Sequence, residues 1–130
     1  MAGNLSIEQL DAGIAAGEID TVIVAFADAQ GRLVGKRVSA RLFQEDILAH
    51  GAEACDYLLS VDVDMNTVDG YAMSGWDRGY GDMVLKPDVE TLRNIPWLDG
   101  TALVMADLVW QNGEPVGPSP RAILDLSLIH

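Results

Sequence analysis

The sequence predicts an α+β domain, a mixed sheet packed against one main helix with additional helices at the N- and C-terminal ends. Three observations predict it. Apolar runs, mostly rich in β-branched residues, recur at 21–26, 33–38, 82–86 and 101–108, as strands of a half-buried sheet require. A helix-spaced apolar pattern follows Ser39, directly after the second run. The chain has 130 residues, 49% hydrophobic and 22% charged, enough for one domain with its own core and too apolar for a disordered segment.

Ser6-Ile7-Glu8-Gln9 reads as a capping box, with Leu5 and Leu10 placed as a hydrophobic staple. Ile7, Leu10 and Ile14 then follow helical spacing and Gly17 ends the element, so residues 1–18 are expected to be one amphipathic packing helix. The runs 21–26 and 33–38 flank Asp28-Ala29-Gln30-Gly31-Arg32, a hairpin with a Gly-bearing turn. Ser39 is placed to cap the main helix, whose expected apolar face is Leu42, Phe43, Ile47 and Leu48, with Gly51 after it. His50 falls in its last turn, where partial positive charge suits the helix dipole, so a structural role is expected for it. Residues 57–63 read as another strand and 91–97 as a further short one, and Gln111-Asn112-Gly113-Glu114 as a turn. Ser119-Pro120 signals a C-terminal helix start. Its run through Leu124, Leu126, Leu128 and Ile129 is apolar enough to need something further to bury against.

Twenty acidic against eight basic side chains give a formal charge of −12. Such a surface repels phosphate backbones and anionic lipid, which argues against nucleic-acid and membrane-surface partners. It attracts cations, or simply keeps the chain soluble. The one cysteine, Cys55, has no disulfide partner in the chain and an apolar context, and is read as a core residue. The first residues lack the basic and apolar regions of a secretion signal and no run reaches membrane-spanning length, so the expected compartment is the cytoplasm.

Residues 65–81 carry the candidate site. A stretch of about 17 residues without periodicity is long for a compact domain and is usually functional or disordered. Tyr71, Trp76 and Tyr80 argue against simple disorder, because aromatic rings gain only when they pack. Asp62-x-Asp64-x-Asn66 matches the opening of a calcium-binding EF-hand loop, but Thr67 and Met73 stand where that loop needs Gly and a bidentate Glu. Asp62 and Asp64 read better as the polar end of a strand.

Asp69-Gly70, then Trp76, then Gly81-Asp82-Met83-Val84-Leu85-Lys86-Pro87-Asp88 resembles the N-terminal β-grasp domain of glutamine synthetases. Downstream, Thr101-Ala102-Leu103-Val104-Met105-Ala106-Asp107-Leu108 and Ser119-Pro120-Arg121 are similar to the strand and helix start that lead into that family's catalytic domain. The resemblance covers nearly everything from Asp20 onward. It implies a β-grasp domain over 19–118, preceded by the helix of 1–18, with 119–130 beginning a linker helix to a catalytic domain. It also implies an ATP-dependent glutamate–ammonia or glutamate–amine ligase, in which this domain closes the active site of a neighbouring subunit in a homo-oligomer. Asp69 would then be the catalytic carboxylate that holds the ammonium and takes its proton, and Trp76 would help wall the site. Read without the resemblance, Asp69 is an Asp-Gly turn residue and Trp76 a packing anchor.

The family follows its Asp-Gly with two serines, whereas Tyr71 and Ala72 stand here. A lost hydroxyl acceptor and a gained ring, whose face attracts alkylammonium ions, point to a larger amine such as a polyamine or ethanolamine. ATP and Mg2+ or Mn2+ are expected to bind the full-length enzyme and not this domain, because the chain has neither a phosphate-binding loop nor a Glu/His cluster at metal spacing. The polypeptide alone is expected to be inactive. The alternatives from other classes are a stand-alone, ubiquitin-like β-grasp interaction module and an acidic metal-binding protein.

Overall fold

The computed structural model of the chain describes residues 3–59 and 82–129, the side chains of 55–57 and 125–129 excepted. The elements are α1 (Ile7–Ala15), β1 (Thr21–Ala27), β2 (Leu33–Ser39), α2 (Ala40–Leu42), a π-helical segment (Phe43–Ile47), α3 (Leu48–His50), β3 (Ala52–Cys55), a 3-10 turn (Asp56–Leu59), β4 (Asp82–Pro87), a second 3-10 turn (Val89–Thr91), β5 (Arg93–Asn94), β6 (Thr101–Trp110) and α4 (Pro120–Ile129). The six-stranded sheet runs β2-β1-β6-β4-β3, with β5 paired to β6 beside this path. The sheet is mixed: β1 and β6 are parallel, Thr21 opposite Thr101 through Ala25 opposite Met105, whereas β5 and β6 are antiparallel. The α+β class read from the sequence holds.

Two compact units divide the chain, the first comprising Met1–Ala25, Gly35–Ala52 and Lys86–Ala106. In it the capping box of α1 forms as expected: Gln9 N donates to Ser6 Oγ at 3.1 Å and Ser6 N to Gln9 Oε1 at 2.8 Å. Val22, Val24, Ala102 and Val104 are fully buried on the parallel pair, with Leu10, Phe43 and Leu92 completing the core. Parallel strands buried in this way carry continuous apolar runs, which is why β1 and β6 were legible. Ser39 caps the main helix, its hydroxyl accepting from Leu42 N at 3.1 Å.

The helix itself differs from the expectation. Leu48 N donates to Phe43 O, a five-residue π step, and the buried positions are Ala40, Phe43 and Ile47. Leu42, expected on the apolar face, is 45% exposed. The widened turn keeps Phe43 and Ile47 buried together and leaves Leu42 outside. His50 sits in the last turn as expected, its Nδ1 3.2 Å from Asp46 Oδ1.

The second unit comprises Phe26–Val34, Glu53–Leu85 and Asp107–His130, and its described core includes Phe26, Leu59, Met83, Leu85, Leu108 and Val116. Of the strand expected at 57–63, residues 57–59 belong instead to the 3-10 turn Asp56–Leu59 and residues 60–63 lie outside the described residues; the described strand here is β3 at Ala52–Cys55. The Ala-Glu-Ala-Cys sequence has weak strand propensity, and sheet pairing overrides it. Of the short strand expected at 91–97, only Arg93–Asn94 pairs. The turn after β6 forms with Gly113 at φ 87, Trp110 N donating to Glu114 O at 2.8 Å. Helix α4 begins at Pro120, as the Ser-Pro signal predicts.

Candidate functional site

Asp69, Tyr71 and Trp76 lie outside the described residues, as do Asp62 and Asp64, and the side chain of Cys55 is likewise outside them. The described flanks establish where the segment 60–81 is rooted. It leaves from the 3-10 turn after β3 and returns as β4, and β3 and β4 are neighbours in the sheet. Leu59 on the outgoing side and Met83 and Leu85 on the return are buried. These apolar anchors hold the two flanks of the segment to one core.

The second unit also holds a buried carboxylate that the sequence reading passed over as a turn residue. Asp28, only 1% exposed, directly follows β1. Its Oδ1 accepts from Gln30 N and Arg32 N, each at 2.9 Å, and its Oδ2 from Arg32 Nε at 2.8 Å. Burial by itself pushes this carboxyl up. The two backbone donors, the guanidinium hydrogen bond and the Arg32 charge together outweigh it and hold the carboxyl below its ordinary range. Gly31, at φ 79, supplies the left-handed residue that lets the chain fold around the carboxylate. Every donor is local, so the arrangement is a clamp on the hairpin tip, with no open face for a substrate. The signal was present in Asp28-x-Gln30-Gly31-Arg32, an Asx-turn spacing with a guanidinium four residues on. In the same unit Arg121 at the start of α4 pairs with Asp107 of β6, tying that helix to the strand.

In the first unit a groove of about 600 Å³ runs along α1, lined by Leu5, Gln9, Gly13, Ile19 and Asn94 among others. The Gln9 side chain is committed to the capping box, and the groove brings no pair of carboxylates together. Among the described residues no three of His, Cys, Asp and Glu gather as a metal site, and no helix is long and apolar enough to cross a membrane.

No family model matches the chain. Individual relatives do. The chain is 60% identical over 120 residues to a gamma-glutamylethanolamide synthetase of Streptomyces coelicolor, covering 92% of this chain and 26% of that protein. It is 40% identical to a glutamate–isopropylamine ligase of a Pseudomonas species, covering 82% of this chain and 23% of the relative. It is 33% identical to type-1 glutamine synthetase 2 of Dictyostelium discoideum, covering 79% and 20%. Among solved structures, an ADP complex of GmaS superposes with a TM-score of 0.67 at 26% identity, covering 91% of this chain and 24% of that one. The chain thus spans about a quarter of the length of the curated relatives it matches. The motifs around the segment 60–81, the α+β sheet and these relatives agree: the chain belongs to the glutamine synthetase family and corresponds to the N-terminal domain of its members.

Proposed function

We propose that this chain serves as the N-terminal domain of a longer ATP-dependent ligase that joins the γ-carboxylate of glutamate to an amine larger than ammonia, with residues 65–81 as the amine-binding loop. The observation that carries this reading is the 60% identity to a gamma-glutamylethanolamide synthetase, taken with Tyr71-Ala72 in place of the family's two serines. In the reaction a phosphoryl group passes from ATP to the glutamate γ-carboxylate. The amine nitrogen then forms a bond to the acyl carbon and phosphate leaves. A protonated amine has no lone pair for that attack, so Asp69 holds the cation and takes one proton from it, a contribution of about 10²–10⁴ in rate for a positioned acid–base group. Tyr71 lays a ring against the alkyl part of the ammonium. Trp76 walls the site and keeps water from the acyl phosphate.

In this reading the domain spans 19–118 and residues 119–130 lead toward a catalytic portion. Asp69 acts in the pocket of a neighbouring subunit of a cytoplasmic homo-oligomer. ATP and Mg2+ or Mn2+ belong to the catalytic portion in this reading. The 130-residue chain alone is inactive. A stand-alone interaction module has no comparable support, since the relatives are ligases about four times longer.

The test is an acceptor screen on the full-length protein, following phosphate release with glutamate, ATP and ethanolamine, isopropylamine, putrescine or ammonium. At least one alkylamine is expected to exceed ammonium in kcat/KM by about tenfold or more, the discrimination a few complementary apolar contacts give. A preference for ammonium would remove the larger-amine assignment, and no turnover with any acceptor would remove the ligase reading.

A further inference from the structure

The charge of this chain is unevenly placed. Residues 29–44 hold Arg32, Lys36, Arg37 and Arg41, half of the eight basic side chains, and no carboxylate. That is a segment of +4 in a chain of −12, which leaves −16 on the rest. Arg32 is committed to Asp28. Lys36, Arg37 and Arg41 are exposed, and among the described residues none of the three belongs to an ion pair.

The backbone beneath these cations has a matching property. Strand β2 ends the sheet order, and among the described residues β1 is its one neighbour. Its outer edge therefore presents the N–H and C=O groups that a further strand pairs with. Lys36 and Arg37 are consecutive, so they stand on opposite faces of that strand. A second β2 laid antiparallel with position 36 opposite 37 would set lysine against arginine twice, and like charges directly opposite are destabilising. The fully overlapped register is thus disfavoured for a copy of this strand. A long polyanion such as nucleic acid would meet the acidic remainder of the surface as soon as it left the segment. A short extended peptide with two adjacent carboxylates meets neither obstacle: one carboxylate faces Lys36, the other faces Arg37, and its backbone completes the ladder.

We propose that the β2 edge at Gly35–Ser39, with Lys36 and Arg37, is a docking site for an extended acidic peptide segment of a partner protein, bound by strand addition. The proposal uses no residue of the segment 60–81 and stands whether or not the ligase reading holds.

The experiment uses the 130-residue chain and a fluorescently labelled, acetylated peptide of sequence TVEEVTV, with TVKKVTV as the charge-reversed control. Anisotropy is expected to report saturable one-to-one binding of the acidic peptide in low salt. The lysine peptide is expected to bind at least about tenfold more weakly, and 0.5 M NaCl to weaken the acidic complex several-fold. Amide shifts in 15N spectra are expected to concentrate at 35–41. The double substitution Lys36→Glu with Arg37→Glu is expected to abolish binding. Lys36→Gln with Arg37→Gln, which adds no new repulsion and can be checked for an unchanged Tm, is expected to weaken it about tenfold. The proposal is overturned by no saturation up to millimolar peptide, by equal binding of the lysine peptide, by shifts elsewhere, or by tighter binding of an oligo-dT strand of equal charge. Concentration-dependent self-association that K36E/R37E abolishes would equally overturn it, because the occupant would then be a second copy.

Discussion

Replacing Asp28 by Asn removes one charge from the hairpin tip and keeps its shape. In the native chain the carboxylate accepts three hydrogen bonds at 2.8–2.9 Å from Gln30 N, Arg32 N and Arg32 Nε. Asparagine can keep Oδ1 for the two backbone amides, but its NH2 group faces the guanidinium with donors against donors. A hydrogen bond to a charged group contributes about 1.5–3 kcal/mol. Arg32 retains 34% side-chain exposure, so water recovers part of this, and the expected loss at pH 7 is about 1–2 kcal/mol. Asp28→Ala also strands the two amides, and about 2–3 kcal/mol is expected. The assay is urea unfolding followed by circular dichroism, with an unchanged m-value as the control for comparable unfolded states. The pH dependence has a definite sign. The folded carboxyl titrates below its ordinary value of 3.8, so its stabilisation is fully present above that value and is lost as pH falls through the folded one. The gap between native chain and D28N is therefore expected to stay constant from pH 8 to about pH 5 and to shrink below pH 4. A gap under about 0.3 kcal/mol at pH 7, or one that does not change on acidification, would refute the clamp.

Ser6→Ala breaks half of the α1 capping box and is expected to cost about 1 kcal/mol, read as a lower urea midpoint. Gly35→Ala is expected to be strongly damaging for a single added methyl group. A Cβ at that position would stand 2.0 Å from Val24 O and 2.7 Å from Ala25 Cα, both backbone atoms that cannot rotate away. A loss of at least about 2–3 kcal/mol is expected, and a Tm within a degree of the native chain would contradict the close approach of β2 to β1.

Much of the fold was legible because local and tertiary preferences agree along it. Ser6 and Gln9 form the box their spacing announces, and the parallel pair β1 and β6 is continuous apolar sequence because both strands are deeply buried. The expectation failed where tertiary pairing decided. Ala52–Cys55 is a strand although alanine and glutamate disfavour it, and the more apolar Asp56–Leu59 is a 3-10 turn. Leu42 was placed on the buried face by a regular 3.6-residue period, which the π step at Phe43–Ile47 breaks. Of the candidate site, the sequence supplied the segment and its motif, and the structure supplies its stems: Leu59, Met83 and Leu85 buried on adjoining strands. The Asp28 clamp was missed because an aspartate in a turn usually faces water. Its burial depends on Arg32 folding back, which spacing alone does not require.

The most direct measurement is steady-state kinetics of the full-length protein carrying Asp69→Asn, an isosteric change that keeps hydrogen bonding and removes the proton acceptor. The account predicts that kcat with the preferred amine falls by about 10²–10⁴, while KM for glutamate and for ATP stays within a factor of about two, because those substrates are bound elsewhere. A kcat within about threefold of the native enzyme would contradict it.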